Sequence, residues 1–300
     1  MRGRGEIRER LALMLGELAE CDGIHPMRVE GVSIVRRSDP AVRAPIVYQP
    51  KILFVGQGSK QAYLGGETYR YDAYNYLVLA VPMPAECETN ATPEEPMLLL
   101  AIDVDPTTIG EMLLEMDELA PSPAAVPRGI SSTPMTEDLG EAVCRLLECL
   151  KSPLDSRMLG RQAVREVVYR VLLGEQGGAL RAFANRDDHF ARIARVLRYI
   201  HSDYANPVGV DDLARKAGMS VAAFHHYFKL VTASSPLQYL KRIRLDQARR
   251  LMAHDGLNAG QAARAVGYES ASQFSREFKR LFGATPLEEV EQTRTRLAIG

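Results

Sequence analysis

The side chains best suited to chemistry lie in two stretches about fifty residues apart. In the first, Ser220 and Ala222 lead into His225, His226 and Lys229. In the second, Ser270 and Ser272 lead into Ser275, Arg276, Lys279 and Arg280. This is a chemistry of donors. An arginine can bond a guanine edge in two places, and a histidine or serine can make a single bond to a base edge. Lys229, Lys279 and Arg280 suit phosphates, and helix N-termini add backbone amides to the same task. The pattern points to double-stranded DNA as the partner.

The elements that must position these groups form an internal repeat. DLARKAGMSVAAFHHYFKLVTASSPLQYL begins at Asp212, and QAARAVGYESASQFSREFKRLFGATPLEEV begins at Gln261. Phe224, Phe228, Lys229, Pro236 and Leu237 recur fifty residues on as Phe274, Phe278, Lys279, Pro286 and Leu287. Ala214 and Gly218 recur as Ala263 and Gly267. Each copy reads as a helix-turn-helix. A short helix, Asp211 to Ala217, turns Leu213, Ala214 and Ala217 inward. Gly218 can take the left-handed conformation that ends it. Ser220 then caps a second helix, which buries Phe224, Phe228 and Val231 and runs to about Val231. The second copy repeats the plan with Ala263, Gly267, Ser270, Phe274, Phe278 and Phe282. The spacing between the copies predicts one long helix from Pro236 to about Ala253, with apolar positions at Leu237, Leu240, Ile243, Leu245, Ala248 and Leu251. Its length of about 27 Å could hold two reading helices about one DNA turn apart.

Charge divides along the same line. The 300 residues carry a net charge of −1, but 1–184 hold 19 Lys+Arg against 26 Asp+Glu, and 185–300 hold 18 against 12. A net of −7 therefore stands beside a net of +6, as expected for a polyanion-binding half joined to an acidic one. The length suits two domains, 1–184 and 185–300.

The first half has a different texture. Residues 6–20 read as a helix. VSIVRR, KILFVGQ, KQAYL, ETYRY, YLVLAVP and PMLLLAID read as short strands, and Gly65-Gly66 reads as a hairpin turn needing positive φ twice. Short strands over this span suggest a small antiparallel barrel or jelly roll. Asp105-Pro106 should start a helix. The prolines in 121–134 mark a loop or linker, and two more helices follow at 139–150 and 164–172. Residues 32–105 contain no histidine, so no metal, cofactor or catalytic group is expected in the barrel. Its carboxylates Glu67, Asp72 and Asp103 lack histidine support. Tyr48, Phe54, Tyr63, Tyr69 and Tyr71, with the thiol of Cys87, are the candidate lining of an effector pocket. The four cysteines, Cys21, Cys87, Cys144 and Cys149, form no CxxC pair, which fits a reducing cytoplasm. No apolar stretch is long enough for a membrane span.

On these residues, 189–292 resemble the AraC/XylS-type regulators. The tracts SPLQYLKRIRLDQARRLM and AGQAARAVGYESASQFSREFKRLFGATP carry the resemblance. VYQPKILFVGQGSKQAYLGGETYRYDAYNYLVLAVPMP is similar to the cupin-like sensor of one regulator subgroup. The resemblance implies an α+β protein: an N-terminal cupin-like β-barrel with flanking helices, then an all-α domain with two helix-turn-helix motifs joined by a long helix. It implies a cytoplasmic, sequence-specific transcriptional regulator that is not an enzyme. Its barrel would answer to a small molecule or stress signal. The apolar stripes of the helices at 136–173 could pack on the barrel or on their copy in another chain, and the second packing would make a homodimer. Promoter DNA is the implied partner, with RNA polymerase if the protein activates. The alternatives are a regulator whose barrel serves only to dimerise, and a cupin enzyme. Within the family, the residue two before the buried Phe of each reading helix commonly contacts bases. That position is His226 in the first copy and Arg276 in the second, so the first copy departs from the usual arginine.

Overall fold

The computed structural model describes residues 2–116, 126–175, 177–184 and 189–289. Helix α1 (Arg2–Leu18) precedes nine strands: β1 (Gly23–Pro26), β2 (Val32–Arg37), β3 (Ala41–Tyr48), β4 (Lys51–Gln57), β5 (Ser59–Leu64), β6 (Glu67–Asp72), β7 (Asn75–Leu79), β8 (Met83–Asn90) and β9 (Met97–Asp103). After α2 (Pro106–Glu115) and β10 (Ile130–Pro134), the chain is helical: α3 (Glu137–Lys151), α4 (Pro153–Met158), α5 (Gly160–Leu173), α6 (Gly177–Ala184) and α7 (His189–Ser202). The two motifs follow as α8 (Val210–Ala217) with α9 (Val221–Thr232), and α11 (Ala259–Ala265) with α12 (Ala271–Phe282). Helix α10 (Pro236–His254) joins them.

The strands form one antiparallel sheet in the order β1-β2-β9-β4-β7-β6-β5-β8-β3, with β10 on β7. This curled sheet is the expected barrel. The Gly65-Gly66 turn has φ of 60° and 85°, and Leu64 pairs with Glu67 across it. Both glycines are thus in the region that side chains avoid, as a two-residue hairpin loop of this kind requires. Asp105 caps α2 as expected, its carboxylate accepting from the amides of Thr107 and Thr108.

Three differences from the sequence reading have a physical cause. Residues 130–134, expected as loop or linker, form β10. Its proline occupies the last strand position, where a missing N–H costs least. (Residues 121–125 of that loop lie outside the described residues.) Strand β3 contains Pro45, which hides it from a propensity reading, yet β3 ends the sheet path and an edge tolerates proline. Leu237, expected as apolar core of the long helix, is 51% exposed; Tyr239 takes its place and is fully buried.

The core is divided. One hydrophobic cluster runs from α1 through the sheet and α3, α5 and α7 into the first motif, taking in Leu213, Phe224, Phe228, Tyr239 and Ile243. A second, smaller cluster holds Leu245, Met252, Ala263, Val266, Tyr268, Phe274 and Phe278. Helix α10 feeds the first cluster with its N-terminal half and the second with the rest.

Candidate nucleic-acid interface

Each reading helix is fixed from below. Gly218, at φ 63°, closes α8, and the Ser220 hydroxyl accepts from the amide of Ala223 to open α9. Gly267, at φ 82°, does the same work in the second motif; any side chain there would strike the carbonyl of Ala205. The Ser270 hydroxyl caps α12 by accepting from Gln273. Phe224 and Phe228 are fully buried under α9, and Phe274 and Phe278 under α12. Ser220 and Ser270, expected as DNA contacts, therefore already spend an oxygen lone pair on the helix start. Their hydroxyl protons stay available to a phosphate.

The opposite faces are open. Ala222, His225, His226 and Lys229 are exposed on α9, as are Ser272, Ser275, Arg276, Lys279 and Arg280 on α12. Among the described residues, no carboxylate pairs with Lys229, Arg276, Lys279 or Arg280. Glu277, on the flank of α12, is engaged elsewhere. Burial alone would raise its pKa, but hydrogen bonds from Lys241, Tyr268 and Gln273 hold it below the ordinary carboxylate range. It ties α12 to α10 and pairs with none of the reading cations.

The positioning groups on α10 escaped the sequence reading. Arg244 donates to the carbonyls of Tyr204 (2.7 Å), Asn206 (3.0 Å) and Gly267 (3.3 Å), which locks the second turn against the loop after α7. Buried Asp246 lies 3.1 Å from guanidinium nitrogens of both Arg249 and Arg250. The Tyr239 hydroxyl donates to the carbonyl of Pro82 in the barrel at 2.8 Å, and His201 Nε2 lies 2.8 Å from the Tyr239 hydroxyl oxygen. Because tyrosine has one proton to give, His201 must donate through Nε2–H. A polar residue inside an apolar periodicity carries no signal that separates these from solvated side chains.

Burial, helped by Arg250, pushes the His201 pKa down to about 4. The unfolded value is about 6.5. The native state therefore binds fewer protons than the unfolded chain between these values, so this stabilisation is complete above pH 6.5 and is lost as pH falls toward 4. Stability should drop by about 2 kcal/mol between about pH 7.5 and pH 5. Thermal unfolding of the full chain and of His201→Gln at both values measures this. Equal slopes for the two proteins would remove His201 as the cause.

The barrel meets the DNA-binding helices directly. The amide of Gly129 donates to the carbonyl of Val231 at the end of α9 at 3.0 Å. Gly65, at the hairpin tip, lies so close to Ala233 that an added methyl would sit 2.5 Å from its Cβ. Beside this contact is a cleft of about 730 Å³ between the β5–β6 hairpin and α10–α12, lined by Arg43 and Tyr63 from the barrel and by Lys241, Arg242 and Arg280. Arg280 thus lies on the shoulder of the reading face.

The six expected effector-pocket residues divide among four settings. Tyr48 and Tyr71 share a buried hydroxyl–hydroxyl hydrogen bond of 2.9 Å, with Cys87 beside them. Tyr63 lies in the interdomain cleft under the Arg43 guanidinium, and its hydroxyl donates to Glu88. Phe54 stacks on Tyr76, and Tyr69 shares Glu67 with Arg128. The barrel carboxylates also serve separate partners: Glu67 pairs with Arg128, Asp72 with Arg70, and Asp103 with Lys51. Among the described residues, no group of three or more histidine, cysteine or carboxylate side chains could hold a metal ion, and no helix is long and apolar enough to cross a membrane.

Residues 28–179 match the N-terminal domain of AraC-type transcriptional regulators, and residues 213–292 match a helix-turn-helix domain. The chain belongs to the AraC/XylS-type transcriptional regulators. This AraC-type regulator is 26% identical over 249 residues to the thermoregulatory protein LcrF of Yersinia pestis, covering 78% of this chain and 86% of that one. It is 28% identical over 150 residues to the transcriptional activator RhaS of Escherichia fergusonii, covering 49% and 53%. Its fold is similar to that of apo ToxT from Vibrio cholerae, with a TM-score of 0.57 at 12% identity over 88% of this chain and 98% of that one. ToxT with a bound unsaturated fatty acid gives 0.54 at 12% identity, over 87% and 93%. The AraC-type regulator described here is accordingly a DNA-binding transcriptional regulator with an α+β fold.

Proposed function

We propose that α9 and α12 enter successive major grooves of promoter DNA, and that a small molecule in the N-terminal half sets how firmly they bind. The open reading faces, with four cations lacking a carboxylate partner, carry the first part. Arg276 and His226 would read bases, while Lys229, Lys279 and Arg280 would hold phosphates. The cleft between hairpin and α12 carries the second, because filling or emptying it changes how the barrel holds a reading helix. A ligand acts here only through different affinities for the two arrangements. ToxT, which shares the fold, takes an unsaturated fatty acid, and this favours effector control over a barrel that only dimerises. The protein would act in the cytoplasm as a homodimer through α3–α5, touch RNA polymerase if it activates, and catalyse no reaction.

Mapping bound sites across the genome, followed by gel shifts with the full chain, tests this reading. Specific binding should appear and weaken steeply with salt, as counterion release requires. Absence of duplex binding at low salt would overturn it. Target genes then name metabolites to try, and a metabolite that shifts DNA affinity separates effector control from the dimer-only alternative.

A further inference from the structure

The repeat extends one helix upstream of the two motifs: α7 stands to α8 and α9 as α10 stands to α11 and α12. Buried Ile193, Val196 and Ile200 of α7 match buried Leu245, Ala248 and Met252 of α10. Arg192 donates to the carbonyl of Gly218 at 3.1 Å, and Arg244 donates to the carbonyl of the matching Gly267 at 3.3 Å. Three residues before each arginine, the chain touches the reading helix. His189 stacks on Tyr227 of α9 with centroids 4.0 Å apart, and Lys241 pairs with Glu277 of α12 at 2.8 Å. Tyr227 and Glu277 hold the same position in the two copies.

The two copies use this shared frame differently. Arg244 also donates to the carbonyls of Tyr204 and Asn206, and a methyl group on Gly267 would strike the carbonyl of Ala205. The turn of the second motif is thus closed by the loop before α8. The first motif has no copy ahead of it. A methyl group on Gly218 would meet only Arg192 Nη1, at 3.8 Å. Arg192 is partly exposed and Arg195 is exposed. Of the five guanidinium N–H groups of Arg192, one serves Gly218. Among the described residues, no other acceptor takes a bond from Arg192, and no carboxylate pairs with it or with Arg195. Asp203, at the end of α7, accepts from Tyr199 and Asn206, and Asp212 on α8 pairs with Arg215. Burial, and then the charge of Arg195, lowers the pKa of Arg198. Cations gathered in this way repel one another in the free protein and are complementary to a polyanion.

These groups sit where a groove wall would run. An α-helix with its side chains is about 10–12 Å across and the major groove is about 12 Å wide, so the flanks of a reading helix face the sugar-phosphate walls. Tyr227 is about 100° round α9 from His226, on one flank, and His189 is stacked on it. Arg192 lies at the turn that opens α9, and a reading helix meets DNA with its N-terminal end. His189, Arg192 and Arg195 follow at intervals of three, so each is a neighbour of the next on the surface of α7. In the second copy the matching place is filled by the first copy, so in the first it lies on the side away from α12. We infer that α7 is a third DNA-binding element, in which Arg192 and Arg195, with the imidazole of His189 beside them, hold backbone phosphates at the outer edge of the sub-site read by α9. The inference rests on the groove reading above and adds a contact outside both motifs. It would strengthen the weaker motif, which has His226 where α12 has Arg276.

The experiment uses the full chain and duplexes carrying its cognate site. Arg195→Gln removes an exposed cation that holds no carboxylate, Arg192→Gln removes its neighbour, and Arg192→Lys keeps the charge. Each charge removed should weaken binding equally on the cognate site and on its single-base variants. For each, the loss should shrink about eightfold over a tenfold rise in salt, because one fewer counterion is released. Arg192→Lys should keep the salt dependence of the unsubstituted chain. Phosphate ethylation should interfere outside the α9 sub-site in the unsubstituted chain and not in the double variant Arg192→Gln/Arg195→Gln. An unchanged salt dependence in the double variant, or the same ethylation pattern in both proteins, would overturn the inference. So would an effect seen only on tandem sites, which would make this face a contact between two copies of the chain. Each of those results leaves α9 and α12 in their grooves. Absence of duplex binding by the unsubstituted chain would bring down the groove reading and this inference together.

Discussion

Replacing Arg276 by alanine in the full chain should weaken binding to the cognate site by about 1–3 kcal/mol, roughly five- to 150-fold, and relax choice at one base pair. Three observations set this size. Arg276 is exposed on α12 and has no carboxylate partner among the described residues, so no such pair must be broken before it turns to DNA. The helix beneath it is pinned by fully buried Phe274 and Phe278, so its direction is fixed before binding. Its fork geometry also matches a guanine edge in two places, which lysine cannot reproduce. Arg276→Lys should therefore recover little of the specificity. Gel shifts on the cognate site and on single-base variants measure both effects. Equal weakening on every sequence, with a shallower salt dependence, would reduce Arg276 to a phosphate contact. His226, the matching position of the first motif, makes fewer bonds and should cost less when truncated.

Phe278→Ala should destabilise the second motif by about 3–5 kcal/mol, the usual cost of removing a large buried aromatic ring. Phe278 lies between Phe274 and Phe282, with centroids 5.5 and 4.4 Å away. The loss should stay local, because Phe278 belongs to the smaller cluster and shares no core with the barrel. Hydrogen exchange should accelerate across 259–289 and change little across 2–116. Unfolding of the whole chain in one step would contradict the division of the core. The matching Phe228→Ala should behave differently. Phe228 belongs to the cluster that includes the sheet, and its ring meets Tyr239 edge-on at 5.5 Å. Its loss should disturb the barrel contact as well as the reading helix.

The two motifs were legible because their signals are local. Gly218 and Gly267 had to leave the right-handed region, Ser220 and Ser270 had to cap, and paired phenylalanines at helical spacing had to be buried. Six of the strands were legible from short β-rich runs, and the Gly65-Gly66 turn from its own chemistry. What stayed hidden depends on partners distant in sequence. Strand β3 is possible because an edge forgives Pro45, and β10 because β7 is there to receive it. Tyr239 and Arg244 look like any polar residues on a helix until Pro82 and Gly267 are brought beside them. The repeat also conceals an asymmetry. Ala233 takes φ 53° where its counterpart Gly283 takes φ 79°, and the Ala233 methyl is what meets Gly65 in the barrel.

Helix α10 has a consequence for the operator itself. It is 19 residues long and unbroken, and both of its halves are packed into core. A continuous helix converts any change in length into rotation, about 100° for each residue. DNA has a phase of its own, about 10–10.5 base pairs per turn. Two such periodic rods can agree at only one setting. A flexible tether would accept sub-sites moved apart by a full turn, since the face of the duplex is preserved. This joint would not. Inserting either a half turn or a whole turn of base pairs between the sub-sites should leave one motif off the DNA, so operator length is part of what the protein reads.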